Sequence, residues 1–378
     1  MNLGNELRIG LNATCINDRP SGAKQRFVGI YRELVRKLPE VEFVVFEPID
    51  CRVGLWFDGL PNISVRQTPL HSEGRIRKFL TGLNYWPTTL PTAKLDSFEC
   101  FNQPLVKALG AKTILTIHDA RRIHPDWSGW ERFVYKLALA RDLRAADHVI
   151  TVSHTMKDEI LGFWPNSSIS VIYNGIDVSG FEAVTEVEMQ AFRQKFDLPP
   201  SFVLAVGHFE RRKNYLRLIE SMAKVHERGI SCQLIIVGND SGDGKVMAER
   251  IQQLNMAGIV RILSGLSDLE VRCAYRLCSL FAFPSSYEGF GIPILEAMAA
   301  GCPMVLSDIP VFREITENCS VYFPHDDSVA IADAIEMVLS SSSERERQIN
   351  YGKLRVKDFS FNNLADQLAG LYRGQWNS

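Results

Sequence analysis

Two glutamates, Glu288 and Glu296, stand with seven residues between them in the stretch 281–310, FAFPSSYEGFGIPILEAMAAGCPMVLSDIP. The first precedes Gly289-Phe290-Gly291, and Pro293 follows two residues later. Proline suits the opening of a helix, where a missing N–H costs nothing and its fixed φ is already correct. Ile294, Leu295, Ala297, Met298 and Ala299 form a small-residue packing face that isolates Glu296 as its one charge. Gly301 and Pro303 end the helix, and Val305-Leu306 opens a strand. This reads as a βαβ unit, which sets the glycine turn and the helix start at the carboxyl edge of a parallel sheet. There the glycines allow close backbone approach, and the helix start offers unpaired N–H groups. Two carboxylates bracketing such a site suit the acid and nucleophile of a glycosidase.

A second chemical signal is cationic. After the strand 202–206 the chain runs Gly207-His208-Phe209-Glu210-Arg211-Arg212-Lys213-Asn214 and enters a helix. Three cations beyond a strand and ahead of a helix suit an anionic ligand, although a charge run also serves as a solvated loop. A third signal is His118-Asp119, at the end of the apolar strand 112–117. Histidine titrates near neutrality, and the end of a strand faces ligand; the plainer alternative is a loop histidine that packs or bonds backbone. Pro20-Ser21-Gly22 lies between the strand 8–12 and a helix with Phe27, Ile30, Tyr31, Leu34, Val35 and Leu38 at helical spacing. One glycine in such a loop is a phosphate-binding turn or an ordinary βα connection.

Strands and helices alternate around these points. Strands are expected at 8–12, 41–46, 112–117, 147–152, 169–172, 202–206, 232–237 and 260–263. Helices are expected at 130–146, 156–163, 247–254 and 268–278, and an amphipathic helix at the tail contains Leu364, Leu368, Leu371 and Tyr372. The pattern predicts an α/β protein with two doubly wound parallel sheets. The chain weakens in pattern between Val178 and Pro200, which reads as an exposed linker with a surface helix. Residues 47–101 read as irregular and rich in proline and aromatics. Within them, Arg75-Ile76-Arg77-Lys78-Phe79-Leu80 is either a solvated helix face or a contact for a membrane or lipid-linked acceptor.

The chain has 378 residues, enough for two or three domains, with 46% hydrophobic and 23% charged residues. A net charge of −2 gives no global attraction to nucleic acid or anionic membrane. No apolar run approaches the ~18–20 residues of a membrane span. The first residues, MNLGNELRIGLNA, lack a signal pattern, so a cytoplasmic protein is expected. The eight cysteines are scattered, with no CxxC pair and no neighbouring His or Cys cluster, which predicts reduced, mostly buried thiols and no metal site.

Taken together, several segments resemble the retaining glycosyltransferases of family 4, which have the GT-B fold. These are Pro284-Ser285 with Glu288-Gly-Phe-Gly-(three residues)-Glu296; Gly301-Cys-Pro303; the glycine to Arg-Lys-Asn segment at 207–214; Ile172-Tyr-Asn174-Gly175-Ile-Asp177; Ala146-Asp147-His-Val-Ile-Thr-Val-Ser153; and His118-Asp119. The resemblance covers nearly the whole chain and is looser over 47–101. It implies two Rossmann-like domains facing a cleft: an acceptor-side domain at 1–180, a linker at 181–200, a nucleotide-sugar domain at 201–357 and, at 358–378, a helix crossing back to the first domain.

The resemblance further implies that Arg212 and Lys213 hold the donor diphosphate and that Glu296 accepts from ribose hydroxyls. Glu288, with the backbone N–H groups of Gly289, Phe290 and Gly291, contacts the transferred sugar and phosphate, and His118 lies beside that sugar. The glycosidase pairing then falls away. Gly22, Asn174, Gly207 and Leu266 complete the implied donor-binding set. His208 stands where many relatives carry a small or basic residue, and the Gly22 loop has one glycine where many have two. Negative charge developing on the leaving nucleotide would be stabilised by cations and helix-start N–H groups, so no metal and no cofactor is expected. The implied reaction moves a hexose, mannose or a deoxyhexose such as rhamnose, to a lipid-linked or polysaccharide acceptor of the O-antigen and lipopolysaccharide type. A GDP-sugar is the first donor expectation and a UDP-sugar the second. Alternatives are a transferase making a small soluble glycoside and a non-catalytic nucleotide-sugar-binding protein. Peripheral contact with the cytoplasmic membrane is the remaining expectation, and no nucleic-acid partner is expected.

Overall fold

The computed structural model describes residues 7–19, 21–101, 103–124 and 127–376. Pro20 and the side chain of Arg75 lie outside what is described. The chain divides into two compact units, one comprising 1–175 and 361–378, the other 176–360.

The first unit contains β1 (Arg8–Asn12), β2 (Glu42–Glu47), β3 (Ile63–Gln67), β4 (Ser97–Cys100), β5 (Lys112–Ile117), β6 (His148–Thr151) and β7 (Ile169–Val171). The second contains β8 (Phe202–Val206), β9 (Gln233–Val237), β10 (Val260–Leu263), β11 (Leu280–Phe283), β12 (Met304–Ser307) and β13 (Val321–Phe323). Among the described residues these strands form two sheets, ordered β3-β2-β1-β4-β5-β6-β7 and β10-β9-β8-β11-β12-β13. Pairing is parallel in both, as where Leu11 faces Val45 on one side and Glu99 on the other, or Val203 faces Leu234 and Leu280. Parallel strands need helical crossovers that cover both faces, which is why FVVF and LIIV are continuous apolar runs rather than alternating ones. In each sheet the strand order reverses beside the first strand, at β1/β4 and at β8/β11. Such a switch point splays the following loops apart and leaves a crevice at the carboxyl edge. The two doubly wound sheets expected from the alternation are therefore present.

Several local expectations need correction. Residues 47–101 are not irregular: they hold β3, β4 and the 19-residue helix Arg75–Ala93. Pro87 and Pro91 lie inside that helix and each removes one backbone donor. Thr88 Oγ1 donates to the carbonyl of Tyr85 at 2.9 Å and Thr92 Oγ1 to that of Thr89 at 2.8 Å, so side chains bond carbonyls around the prolines. The expected linker at 181–200 is largely helical and belongs to the second unit, with helices Val178–Glu182 and Glu186–Lys195. The latter starts with a reciprocal cap in which Thr185 and Glu188 bond each other's backbone. The unit boundaries fall at 175/176 and 360/361 rather than at 180 and 357. The helix expected after Gly22 begins at Gly22 itself, capped by Ser21 Oγ, and passes through a wider π-helical turn at Phe27–Tyr31. Ser267 caps the helix Asp268–Leu277.

The tail forms the helix Phe361–Trp376 and packs into the first unit's core through Leu364, Ala365, Leu368 and Tyr372. Two glycines admit it. A Cβ on Gly29 would lie 2.3 Å from the Phe361 ring, and one on Gly175 would lie 2.5 Å from it. Lys37 Nζ pairs with Asp366 Oδ1 at 2.7 Å on the surface of the same contact. Among the described residues no helix is long and apolar enough to cross a membrane.

Candidate active site

In the second unit, the loops after β8 and β11 meet at the switch point. Gly207 adopts φ 146°, and its amide donates to Val237 at 2.9 Å. A Cβ there would come within 2.9 Å of the Tyr215 hydroxyl and 3.2 Å of Lys213 Cε, so only glycine fits. The cations follow in a short turn, Arg211–Lys213, that Asn214 closes in the left-handed conformation. Asn214 Nδ2 then donates to the carbonyls of Pro284 at 3.2 Å and His325 at 2.5 Å, while the amide of Ser286 donates to the Arg212 carbonyl at 2.8 Å. These bonds lock the two loops together.

Between them lies an ionic cluster. Glu288 Oε1 meets Arg212 Nη1 at 2.6 Å and Lys213 Nζ at 2.7 Å, and accepts from Ser285 Oγ at 3.0 Å. Arg212 Nη2 reaches Glu210 Oε1 at 2.6 Å. Lys213 and Glu288 side chains are only 8% and 10% exposed, and Lys213 Nζ sits 4.7 Å from the Phe283 ring centroid. Burial works to raise the Glu288 carboxyl, but Lys213 and Arg212 reverse this and hold it at about 2. Burial works against the Arg212 charge, yet Glu288 and Glu210 carry its pKa above its ordinary value. Burial pulls the Lys213 ammonium below its ordinary value; Glu288 opposes this and Arg212 adds to it. Arg212 thus has two carboxylate partners, Glu210 and Glu288, whereas Lys213 pairs with Glu288 alone among the described residues. Two buried polar atoms here also lack a partner among the described residues, Arg212 Nε and the Tyr215 hydroxyl. A buried unpaired guanidinium N–H is costly and calls for an acceptor.

The helix Ile292–Ala300 follows Gly291, which has φ 116° and, as N-cap, supplies no side-chain cap, while Pro293 lies in the first turn. Pro293 has no N–H and the Ile294 amide donates to the Gly291 carbonyl at 2.9 Å, so what this N-terminus offers a partner is chiefly its dipole. The next residues are ordered by apolar packing, with Phe290 buried and its ring 6.0 Å from that of Phe359. Glu296 is on this helix and accepts from the Tyr275 hydroxyl at Oε2, 2.8 Å away. Burial raises the Glu296 carboxyl, opposed by the Tyr275 hydrogen bond. Leu266 is half-buried just beyond β10, between Gly265 and the Ser267 cap.

In the first unit, His118 follows β5 directly and is half-buried. Burial, with the Arg26 charge in addition, pushes its imidazole down to about 3. The ring is thus neutral at physiological pH, against the expectation that it titrates there. Asn174 is buried, and its Oδ1 accepts from Arg26 Nη1 at 3.3 Å, beside the Ile172 and Tyr173 carbonyls at 2.8 and 2.6 Å. Gly22 opens the helix Gly22–Arg26 that carries this arginine.

Residues that sequence reasoning did not single out frame both sites. Arg26 is buried in an apolar core beside Glu99 on β4, whose carboxylate accepts from Tyr31 and Thr116 at 2.5 Å and from Tyr372 of the tail helix. Burial raises the Glu99 carboxyl, while the three hydroxyls and Arg26 oppose that. Glu210, Tyr215 and Tyr275 play the equivalent part in the second unit.

The family model Glycosyltransferase Family 4 matches residues 23–179, and the model Glycosyl transferases group 1 matches 187–355. The chain belongs to the family 4 glycosyltransferases. This glycosyltransferase is 29% identical over 297 residues to the O-antigen chain mannosyltransferase RfbU of Salmonella typhimurium, covering 78% of this chain and 77% of that one. It is 26% identical over 267 residues to the O-antigen chain mannosyltransferase B of Escherichia coli, covering 69% and 70%. A crystal structure of HepE from Anabaena, in complex with UDP and glucose, superposes with a TM-score of 0.76 at 18% identity, over 97% of this chain and all of that one. The glycosyltransferase thus has the GT-B fold, with two Rossmann-like units.

Proposed function

We propose that this enzyme moves a hexose, mannose or a deoxyhexose such as rhamnose, from a GDP-sugar to a lipid-linked or polysaccharide acceptor in surface-glycan synthesis. The observation that carries the reading is the Arg212–Lys213–Glu288 cluster at the β8/β11 switch point, with its buried ammonium and unpaired guanidinium N–H. A diphosphate supplies the acceptor oxygens those groups lack, and the two cations then stabilise the charge that develops as the nucleoside diphosphate leaves. The helix start at Gly291 adds its dipole to the same charge, so the step needs no metal. The naming of relatives as O-antigen chain mannosyltransferases supports mannose and a surface-glycan acceptor.

Glu288 is bound to two cations and a hydroxyl and is held at about 2, which makes it a poor nucleophile. It therefore orients Arg212 and Lys213 and meets the sugar through its remaining oxygen, without forming a covalent intermediate. Configuration is then retained by front-face attack assisted by the departing phosphate. Neutral His118 hydrogen-bonds the transferred sugar. Glu296 accepts from the ribose, and Leu266, Gly207, Asn174 and Gly22 line the donor.

The helix Arg75–Ala93 supports peripheral membrane contact, since Ile76, Phe79, Leu80 and Leu83 are exposed on one face at helical spacing. Lys78 turns inward instead, donating to the carbonyls of Ser72 at 2.8 Å and Thr14 at 3.0 Å. Sedimentation with anionic vesicles tests this, and absence of binding removes that part of the reading.

The activity itself is tested by a thermal-shift screen of GDP and UDP, followed by transfer assays with the corresponding mannose, rhamnose and glucose donors. Stabilisation by GDP and transfer from GDP-mannose or GDP-rhamnose is expected; stabilisation by UDP alone would replace the donor assignment.

A further inference from the structure

The wall behind Glu296 is built around one phenol. Tyr275 lies on the helix Asp268–Leu277, which a reciprocal Ser267–Glu270 cap fixes at its start. Its ring is buried against Phe281 of β11, with centroids 5.3 Å apart, and against Phe181, at 6.2 Å. Between these rings the phenol has little freedom. Its single polar atom ends 2.8 Å from Glu296 Oε2.

Glu296 is a long, half-buried side chain on the face of an otherwise apolar helix, and a carboxylate there without fixed partners has several rotamers and a tendency to take up a proton. We propose that Tyr275 is the positioning residue of the ribose site: its O–H occupies Oε2 of Glu296, so that Oε1 is presented, ionised and in one orientation, to the 2′ and 3′ hydroxyls of a ribonucleoside diphosphate. The proposal rests on the assignment of Glu296 to the ribose. The charged groups facing Glu296 are Asp268 and Arg272 on the same helix as Tyr275, and Lys213 from the loop after β8. Asp268 favours its protonation, whereas Arg272 and Lys213 favour the ionised form. Arg272 is itself engaged, with Nη2 3.6 Å from Asp177 Oδ2 and its guanidinium 5.5 Å from the Phe181 ring. The hydrogen bond from Tyr275 is therefore the one direct contact among the described residues that orients the carboxylate.

The sign of the pH effect follows. Ribose hydroxyls need an ionised acceptor, and burial already raises the Glu296 carboxyl. Nucleotide affinity is present above that raised pKa and falls as pH drops through it. Removing the phenol O–H raises the carboxyl further, so the loss begins at a higher pH.

The test is Tyr275→Phe, which keeps the ring between Phe181 and Phe281. The protein is titrated with GDP and UDP, and separately with inorganic pyrophosphate, which engages Arg212 and Lys213 but has no ribose. The dissociation constant of the nucleotide that the wild type binds should rise about fivefold or more, as for loss of a charge-assisted hydrogen bond. That ratio should grow between about pH 8 and about pH 5.5, while pyrophosphate affinity stays at the wild-type value. In a Glu296→Ala background, Tyr275→Phe should change nothing further. Wild-type nucleotide affinity in Tyr275→Phe across the pH range overturns the proposal, as does an equal loss of nucleotide and pyrophosphate. Wild-type nucleotide affinity in Glu296→Ala overturns instead the ribose assignment beneath it.

Discussion

Replacing Lys213 by Met removes one charge and keeps most of the side-chain volume. Lys213 Nζ is 2.7 Å from Glu288 Oε1, and its side chain is 8% exposed. Two effects are expected. Glu288 loses one of three donors, keeping Arg212 Nη1 at 2.6 Å and Ser285 Oγ at 3.0 Å, so its carboxyl rises from about 2 toward its ordinary value. The leaving diphosphate loses a preorganised cation in a buried site. Contacts of that kind are worth about 3–4 kcal/mol in the transition state, which at ~1.4 kcal/mol per decade is about 10²–10³ in rate. Methionine keeps a buried side chain of similar volume in place of the lysine stem, so the melting temperature should move little relative to the activity. The assay is initial-rate transfer from the nucleotide sugar, with kcat and KM determined separately. A fall mainly in kcat marks a contact made in the transition state; a rise in KM alone would mean ground-state binding only. Activity within about threefold of wild type would refute the reasoning, because a cation in contact with the leaving group cannot be removed at so small a loss.

Further outcomes follow from the same geometry. Glu296→Ala should lower transfer at least about tenfold by weakening donor binding, measured as kcat/KM; unchanged kcat/KM would remove Glu296 from the site. EDTA should leave transfer unchanged in a metal-depleted assay, whereas abolition restored by a divalent cation would contradict cation-only stabilisation. Glu288 has its carboxyl lowered from 4.5 to about 2, a contribution of about 3 kcal/mol that is present above pH ~4.5 and lost as pH falls through about 2. The urea-denaturation stability gap between wild type and Glu288→Gln should therefore narrow as pH falls over that range, and a constant gap would show that the ion pairs do not hold Glu288.

The legible parts of the fold were those in which one stretch carries its own signal. The apolar runs of β5 and β8 stand between turn residues, and Pro293 and Gly301 mark the two ends of the helix that holds Glu296. The helix Arg75–Ala93 was hidden by Pro87 and Pro91, which break the pattern a helix should show. The surface helix expected within 178–200 is present as Glu186–Lys195, though the segment belongs to the second unit rather than to a linker, and residues 311–358 offered no motif to anchor a reading. The site was legible where function demands unusual residue types close together, as at Glu288 and Arg212-Lys213. Its supporting shell was not, because its partners are remote in sequence. Lys213 and Glu288 are 75 residues apart, and Tyr372 and Glu99 are 273 apart. No local pattern reveals that a phenol in the tail helix closes a buried carboxylate in β4, or that Arg26 holds Asn174 and bears on His118. Those pairings are set by the order of strands at the two switch points.

The central claim is that Arg212 and Lys213 form the donor's diphosphate seat. Isothermal titration of GDP and UDP into wild type and into the Arg212→Met/Lys213→Met double variant tests it most directly. One nucleoside diphosphate should bind the wild type, and the double variant should bind it at least about a hundredfold more weakly while remaining folded. Equal affinity in a folded double variant would contradict the account.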